Sequence, residues 1–217
     1  MTREYYLQRI KKLEEDLVLM GERSLDLLSL SLQSLKDQDV ELANRIIPES
    51  EHMADVEIEL ENTCIELLAL QQPMASDLRF ISTALKILTD LGRLSRLAWD
   101  ICVITVKIGK EPLLPEIKEV LEMYDNAANM VKDSLRAFVK RDVELAKSLG
   151  PKDDVVDSQY DQIRRNLIQE MLSDPSNVDM ASHLSFVARY IERTADHACV
   201  IASRTVYMVT GERVRIR

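Results

Sequence analysis

Asp153 and Asp157 stand four residues apart, as do Glu192 and Asp196. On a helix that spacing puts both members of a pair on one face. The turn residues Asp174 and Pro175 lie midway between the two pairs. If the chain folds back there as a helical hairpin, Asp157 stands level with Glu192 and Asp153 with Asp196. Four carboxylates then converge on one patch. Like charges at this spacing destabilise a helix by about 0.2–0.5 kcal/mol per pair, before any repulsion across the hairpin. A hard or borderline cation relieves that repulsion and finds oxygen ligands in place. The plain alternative is a solvated acidic face, which a single DxxxD or ExxxD pair usually is. Two pairs in register across one turn make a metal site a serious rival to it.

The elements that must position these residues occur twice. Asp39-Val40-Glu41-Leu42-Ala43 recurs as Asp142-Val143-Glu144-Leu145-Ala146, an offset of 103, and the flanking patterns recur with it. The chain reads as one helical unit written twice, over residues 1–110 and 111–217. The first-copy positions that match the four acids are Ser50, Ala54, Gly92 and Arg96. They are symmetric about Pro73, so the scaffold is kept while the ligands are gone, and Arg96 puts a cation where a carboxylate would be. Glu51, Asp55 and Asp100 lie nearby. Glu51 and Asp55 are one position off, a rotation of about 100° around a helix. A displaced, rebuilt site is one reading of them, and a solvated face is the expected one.

Apolar residues at Ile10, Leu13, Leu17, Met20, Leu28, Leu32 and Leu35 recur at helical spacing and give the first helix one core-facing side. Asp39 reads as an N-cap opening a second helix to about Leu70. Gln71-Gln72-Pro73 breaks it, because proline cannot continue the helix before it. A third helix spans Ser76 to about Lys107. Gly109 and Glu111-Pro112-Leu113-Leu114-Pro115 form the clearest linker. The fourth helix covers roughly Ile117 to Lys140, Asp142 opens the next, and the last runs from about Val178 to Val209 with Gly211 as its stop. Nothing alternates as a strand does. The expected fold is all-α: two tandem, pseudo-symmetric three-helix bundles built from six long antiparallel helices.

Composition agrees and excludes much. With 46% hydrophobic and 30% charged residues but only 5 Gly and 6 Pro, the chain has the profile of long helices. A net charge of -9 argues against nucleic acid as a partner. The basic Arg213, Arg215 and Arg217 read as a solvated terminus rather than a binding arm. Cys64, Cys102 and Cys199 are odd in number and lack CxxC spacing, which points to buried, reduced thiols in a cytoplasmic protein. The start, Met-Thr-Arg-Glu-Tyr-Tyr, has no signal-peptide pattern. The longest apolar stretch is far shorter than the roughly 20 residues of a membrane span.

The stretches Gln72-Pro73-Met74-Ala75-Ser76-Asp77-Leu78-Arg79 and Tyr190-Ile191-Glu192-Arg193-Thr194-Ala195-Asp196-His197-Ala198, together with the duplication, resemble the PhoU family of phosphate-signalling regulators. The likeness spans nearly the whole chain. It implies an E/DxxxD pair on the second and third helices of each repeat, able to hold multinuclear iron or zinc clusters at the surface. Carried over, the motif is kept in Asp153, Asp157, Glu192 and Asp196 and lost at Ser50, Ala54, Gly92 and Arg96. The resemblance further implies a cytoplasmic negative regulator of phosphate transport and homeostasis. Such a protein is peripheral to the membrane through its partners, a Pst-type phosphate ABC transporter and, in many bacteria, a PhoR-type sensor histidine kinase. It acts by recognition and not as an enzyme. The oligomeric state, a homodimer included, stays open.

Two rival classes are weaker. A ferritin-like di-iron enzyme needs two ExxH motifs inside a bundle. Only Glu49-Ser50-Glu51-His52 has the spacing, and it follows Pro48 near an expected break. His183 and His197 lack an acid three residues earlier. No phosphate-cradling glycine loop or nucleophile elbow occurs, and the histidines read as satisfied polar residues. Trp99 and the methionines read as packing. A metal-free helical adaptor would share the fold and the partners, and metal content is what separates it from the metal-binding reading.

Overall fold

The computed structural model describes residues 3–70 and 74–217. The expected break at Gln71-Gln72-Pro73, with the symmetry centre at Pro73, falls outside them. Among the described residues all regular structure is helical: α1 (Arg3–Asp37), α2 (Val40–Leu70), α3 (Ala75–Ile108), α4 (Ile117–Lys140), α5 (Val143–Lys147), α6 (Gly150–Ser173) and α7 (Val178–Thr210), with a short 3-10 turn, Pro175–Asn177, before α7. None of these helices is long and apolar enough to cross a membrane.

The duplicated pentapeptide does the same local work twice. Asp39 Oδ1 accepts the Leu42 backbone N–H at 2.9 Å, and Asp142 Oδ1 accepts that of Leu145 at 2.9 Å. Each carboxylate satisfies a donor that the helix start leaves unpaired. The residue before each cap is in the left-handed region, Gln38 at φ 52° and Arg141 at φ 56°. The side chains at these matched turns differ in use. Gln38 Nε2 donates to the carbonyl of Gly109, 3.3 Å away, so the α1–α2 turn is tied to the linker after α3. The Arg141 guanidinium pairs with Glu14 at 2.8 Å and lies over the stacked rings of Phe80 and Phe138.

The matched prolines diverge, and here the structure corrects two expectations. Pro48 sits inside a continuous α2, so Glu49-Ser50-Glu51-His52 is not near a break. Proline removes one helix hydrogen bond, and α2 continues through it with Ile46 and Met53 buried on either side. Pro151, at the matched place, begins α6 after a break at Ser148 and Leu149. The fifth of the six helices is thus in two pieces, with proline in the first turn where its missing N–H is not needed.

The predicted apolar face of α1 is the buried one. Leu13, Leu17, Met20, Leu28, Leu32 and Leu35 are all within 1% of full burial, with Ile10 packed at the edge. Each such side chain stabilises by about 1.5–3 kcal/mol relative to exposure. α1, α2 and α3 pack on one another, as do α4, α6 and α7, while α5 lies against α4 and α7. α3 also packs on α7 and α1 on α4, so the buried residues form one continuous core. Gly21 permits the α1–α4 approach: a Cβ there would lie 2.6 Å from Leu135 Cδ1.

The terminal arginines depart from the sequence reading. After Gly211, which closes α7 at φ 80°, the chain turns back along that helix. Ile216 N–H donates to Ser203 Oγ at 3.0 Å, and Val214 and Ile216 pack against the core. Alternation along an extended segment puts these two on one side and Arg213, Arg215 and Arg217 on the other. The segment is docked rather than freely solvated.

Candidate functional site

α6 packs antiparallel on α7 across the turn at Asp174, whose side chain accepts the Ser176 N–H at 2.9 Å. This hairpin brings Asp153 and Asp157 on α6 to Glu192 and Asp196 on α7. Asp196 acts electrostatically on each of the other three acids, and Asp157 on Asp153 and Glu192. Asp153 is buried, and Glu192 nearly so, while Asp157 and Asp196 face solvent.

Burial, then the charges of Asp157 and Asp196, push the Asp153 carboxyl up to about 6. Glu192 is pushed up to about 7 by burial and by Asp196, against the pull of Arg189. Burial and then Asp196 also raise Asp157. Low-dielectric surroundings disfavour a carboxylate, and neighbouring like charges add to the effect. Cys199 lies beneath the patch, its thiol directed at the Leu149 carbonyl 3.9 Å away. Burial first, then Asp153, raises its proton affinity.

Glu192 Oε1 is hydrogen-bonded to Arg189, and Glu192 Oε2 is buried with no hydrogen-bond partner. In this arrangement no group of three or more described His, Cys, Asp or Glu side chains is poised to hold an ion. The all-oxygen donor set suits a hard or borderline cation, and the orphaned Oε2 supplies an unused ligand atom. Swinging Glu192 off Arg189 would free the second oxygen. Arg189 was missed in the sequence although it sits three residues before Glu192, a readable ion-pair spacing.

The first repeat is built differently at the matched places. Ser50 is buried with an unpartnered hydroxyl, and Ala54 is exposed. A Cβ on Gly92 would lie 2.0 Å from Glu57 Oε2, so the Glu57 side chain fills the space above this glycine. Arg96 lies over the Trp99 ring, and Trp99 Nε1–H donates to Glu51 Oε1 at 3.2 Å. Asp55 faces His52 at 3.5 Å, and Asp100 lies near Arg96 and Arg193. Glu51, Asp55 and Asp100 are thus engaged with local donors and cations.

A second polar cluster joins the halves. Asp90 on α3 meets His197 Nδ1 at 3.1 Å and accepts from Arg204 Nε at 3.3 Å, both on α7. His197 is a satisfied buried residue, as its surroundings in the sequence suggested. Asp90 and Arg204 gave no signal, because their partners lie more than a hundred residues away.

The family model described as the PhoU domain matches residues 17–105 and again 120–205. The chain belongs to the PhoU family. Two PhoU relatives, each called a phosphate-specific transport system accessory protein PhoU homolog, come from Clostridium acetobutylicum and Aquifex aeolicus. The first is 35% identical, covering 99% of this chain and 98% of the relative. The second is 36% identical, covering 96% and 94%. The crystal structure of PhoU from Pseudomonas aeruginosa superposes with a TM-score of 0.90 at 28% identity, covering 95% of this chain and 100% of that one. The phosphate transport system regulatory protein PhoU from Streptococcus pneumoniae gives 0.89 at 27%, covering 96% and 99%. The six-helix PhoU architecture expected from the sequence is the one observed.

Proposed function

We propose that the chain is an accessory regulator of phosphate uptake and phosphate signalling. In this reading it works in the cytoplasm by protein–protein recognition at a Pst-type phosphate ABC transporter, with a PhoR-type sensor kinase as a second partner. The observation that carries it is family membership over both repeats, alongside relatives whose names tie them to the phosphate-specific transport system. Long helices packed on one core supply a rigid surface suited to recognition. The proposed repeats, 1–110 and 111–217, meet in the linker after α3. Catalysis is not part of the role, and phosphatase, oxidase and esterase turnover should stay at background. A pull-down from phosphate-rich and phosphate-starved cells tests the reading. Recovery of the transporter ATPase supports it, and an unrelated partner set indifferent to phosphate would count against it.

Asp153, Asp157, Glu192 and Asp196 are proposed to hold iron or zinc in a surface cluster on the second repeat. The supports are the orphaned Glu192 Oε2 and the raised proton affinities of Asp153, Asp157 and Glu192. The bound cations would neutralise the patch and bridge to acidic or phosphate groups of a partner. This chain's part is to keep α6 and α7 in register and to release Glu192 from Arg189. The Arg189–Glu192 pair favours a second reading, a metal-free adaptor in which arginine supplies the counter-charge. Metal analysis of the wild type beside Asp157→Ala/Asp196→Ala separates them. Equal, sub-stoichiometric metal in both would leave only the adaptor.

A further inference from the structure

A groove of about 1060 Å³ runs between α3 and α7, with the docked C-terminal segment as its third wall. Seven of its lining residues are lysine or arginine and two are acidic, in a chain whose net charge is -9. Lys86 and Arg93 come from α3, Arg193 and Arg204 from α7, and the three arginines of the terminal segment from the third side. Of the two acids, Asp90 is already bound to His197 and Arg204. Lys86, Arg93, Arg193, Arg215 and Arg217 form no direct ion pair among the described residues, though Glu57 lies within electrostatic reach of Arg93 and Asp100 of Arg193. The hydroxyl of Thr83, in the same wall and 1% exposed, has no hydrogen-bond partner.

The fold imposes this convergence. Val214 and Ile216 pack down, and the bond from Ile216 to Ser203 fixes the segment's course, so its arginines are held at the rim. Collecting like charges in a concave site is unfavourable in isolation, and it focuses a positive potential that concentrates anions. The unused groups are almost all donors: guanidinium N–H forks, one ammonium and one hydroxyl. An acidic peptide would bring a backbone N–H with each residue, and among the lining residues the acceptors for them are few, the Asp196 carboxylate and side-chain hydroxyls. A phosphate chain brings only acceptors at high charge density, and the arginine fork matches its oxygens two at a time.

We propose that this groove binds a compact oligophosphate, a triphosphate chain either free or at the end of a nucleotide. The carboxylate patch plays no part beyond sharing Asp196 with the rim, and failure of either assignment leaves the other standing.

Isothermal titration of the full chain in chelator-containing buffer, with inorganic tripolyphosphate, ATP and a glutamate-rich peptide, tests it. Saturable binding of tripolyphosphate that weakens with salt is expected. Arg93→Ala/Arg193→Ala should lower the affinity about tenfold or more, whereas Lys11→Ala, on the far exposed face of α1, should not. If that double variant does not fold by circular dichroism, Arg215→Ala/Arg217→Ala takes its place with the same expected loss. Tighter binding of ATP than of tripolyphosphate assigns the nucleotide as source, and equal binding assigns the bare chain. The proposal is overturned if neither phosphate compound saturates, if the folded variant binds as the wild type does, or if the peptide binds more tightly than both.

Discussion

Glu192 is the residue on which the carboxylate patch turns. Folded, it keeps its proton up to about 7, whereas an unfolded glutamate releases it near about 4.3. Between those values the native state binds more protons than the unfolded one, so stability falls as pH rises through this window. Asp153, raised to about 6, acts in the same direction. In the presence of a chelator, Glu192→Gln should therefore stabilise the protein at pH 8 by about 1–2 kcal/mol and change it little at pH 5. Thermal melts at the two pH values read the difference, and an equal shift at both would refute the cause given. The four carboxylates were legible because spacing on two helices and one turn fixes their faces. The i, i+3 spacing of Arg189 and Glu192 was legible too, but not that the pair leaves the other carboxylate oxygen orphaned, since that depends on rotamers chosen by packing.

At the scale of elements, much of the helix layout could be read from punctuation. Asp39, Asp142, Gly211 and the 111–115 linker each mark an end by local chemistry that needs no tertiary context. Pro48 and Pro151 show the limit: the same residue at matched places, with buried neighbours at both, leaves one helix whole and stands at the start of another. Two helical glycines make a similar contrast testable. Gly21→Ala would drive a Cβ into buried Leu135 where α1 meets α4. Overpacking of about 1–3 kcal/mol should outweigh the helix-propensity gain of about 1 kcal/mol, so this variant is expected to destabilise. Gly92→Ala meets only the free end of Glu57, a side chain able to swing outward. It should be neutral or stabilise by up to about 1 kcal/mol. Urea denaturation ranks the two, and the reverse order would show that the glycine contacts are misjudged.

Across the whole molecule, duplication predicts two units, and the packing of α3 on α7 and α1 on α4 joins the helices in one core. The core runs unbroken from α1 to α7, and Asp90 ties α3 to His197 and Arg204. None of this was visible in the sequence, whose local patterns carry no record of contacts a hundred residues apart. Asp90→Ala should cost about 1–3 kcal/mol, since it strands two buried or half-buried donors. It should still leave one cooperative transition, with far-UV and near-UV signals coinciding; two separated transitions would mean that the repeats unfold independently. The buried cysteines give such opening events a chemical clock. Burial pushes Cys64 and Cys102 up to about 12 and raises Cys199 as well, with acids adding to the effect at Cys64 and Cys199. In the closed protein the reactive thiolate is therefore almost absent. An alkylating reagent should label each thiol only as fast as its own helix loosens, Cys64 timing α2, Cys102 α3 and Cys199 α7. Mass-resolved labelling would thus rank which part of the bundle breathes first, and three indistinguishable rates would mean that it opens all at once.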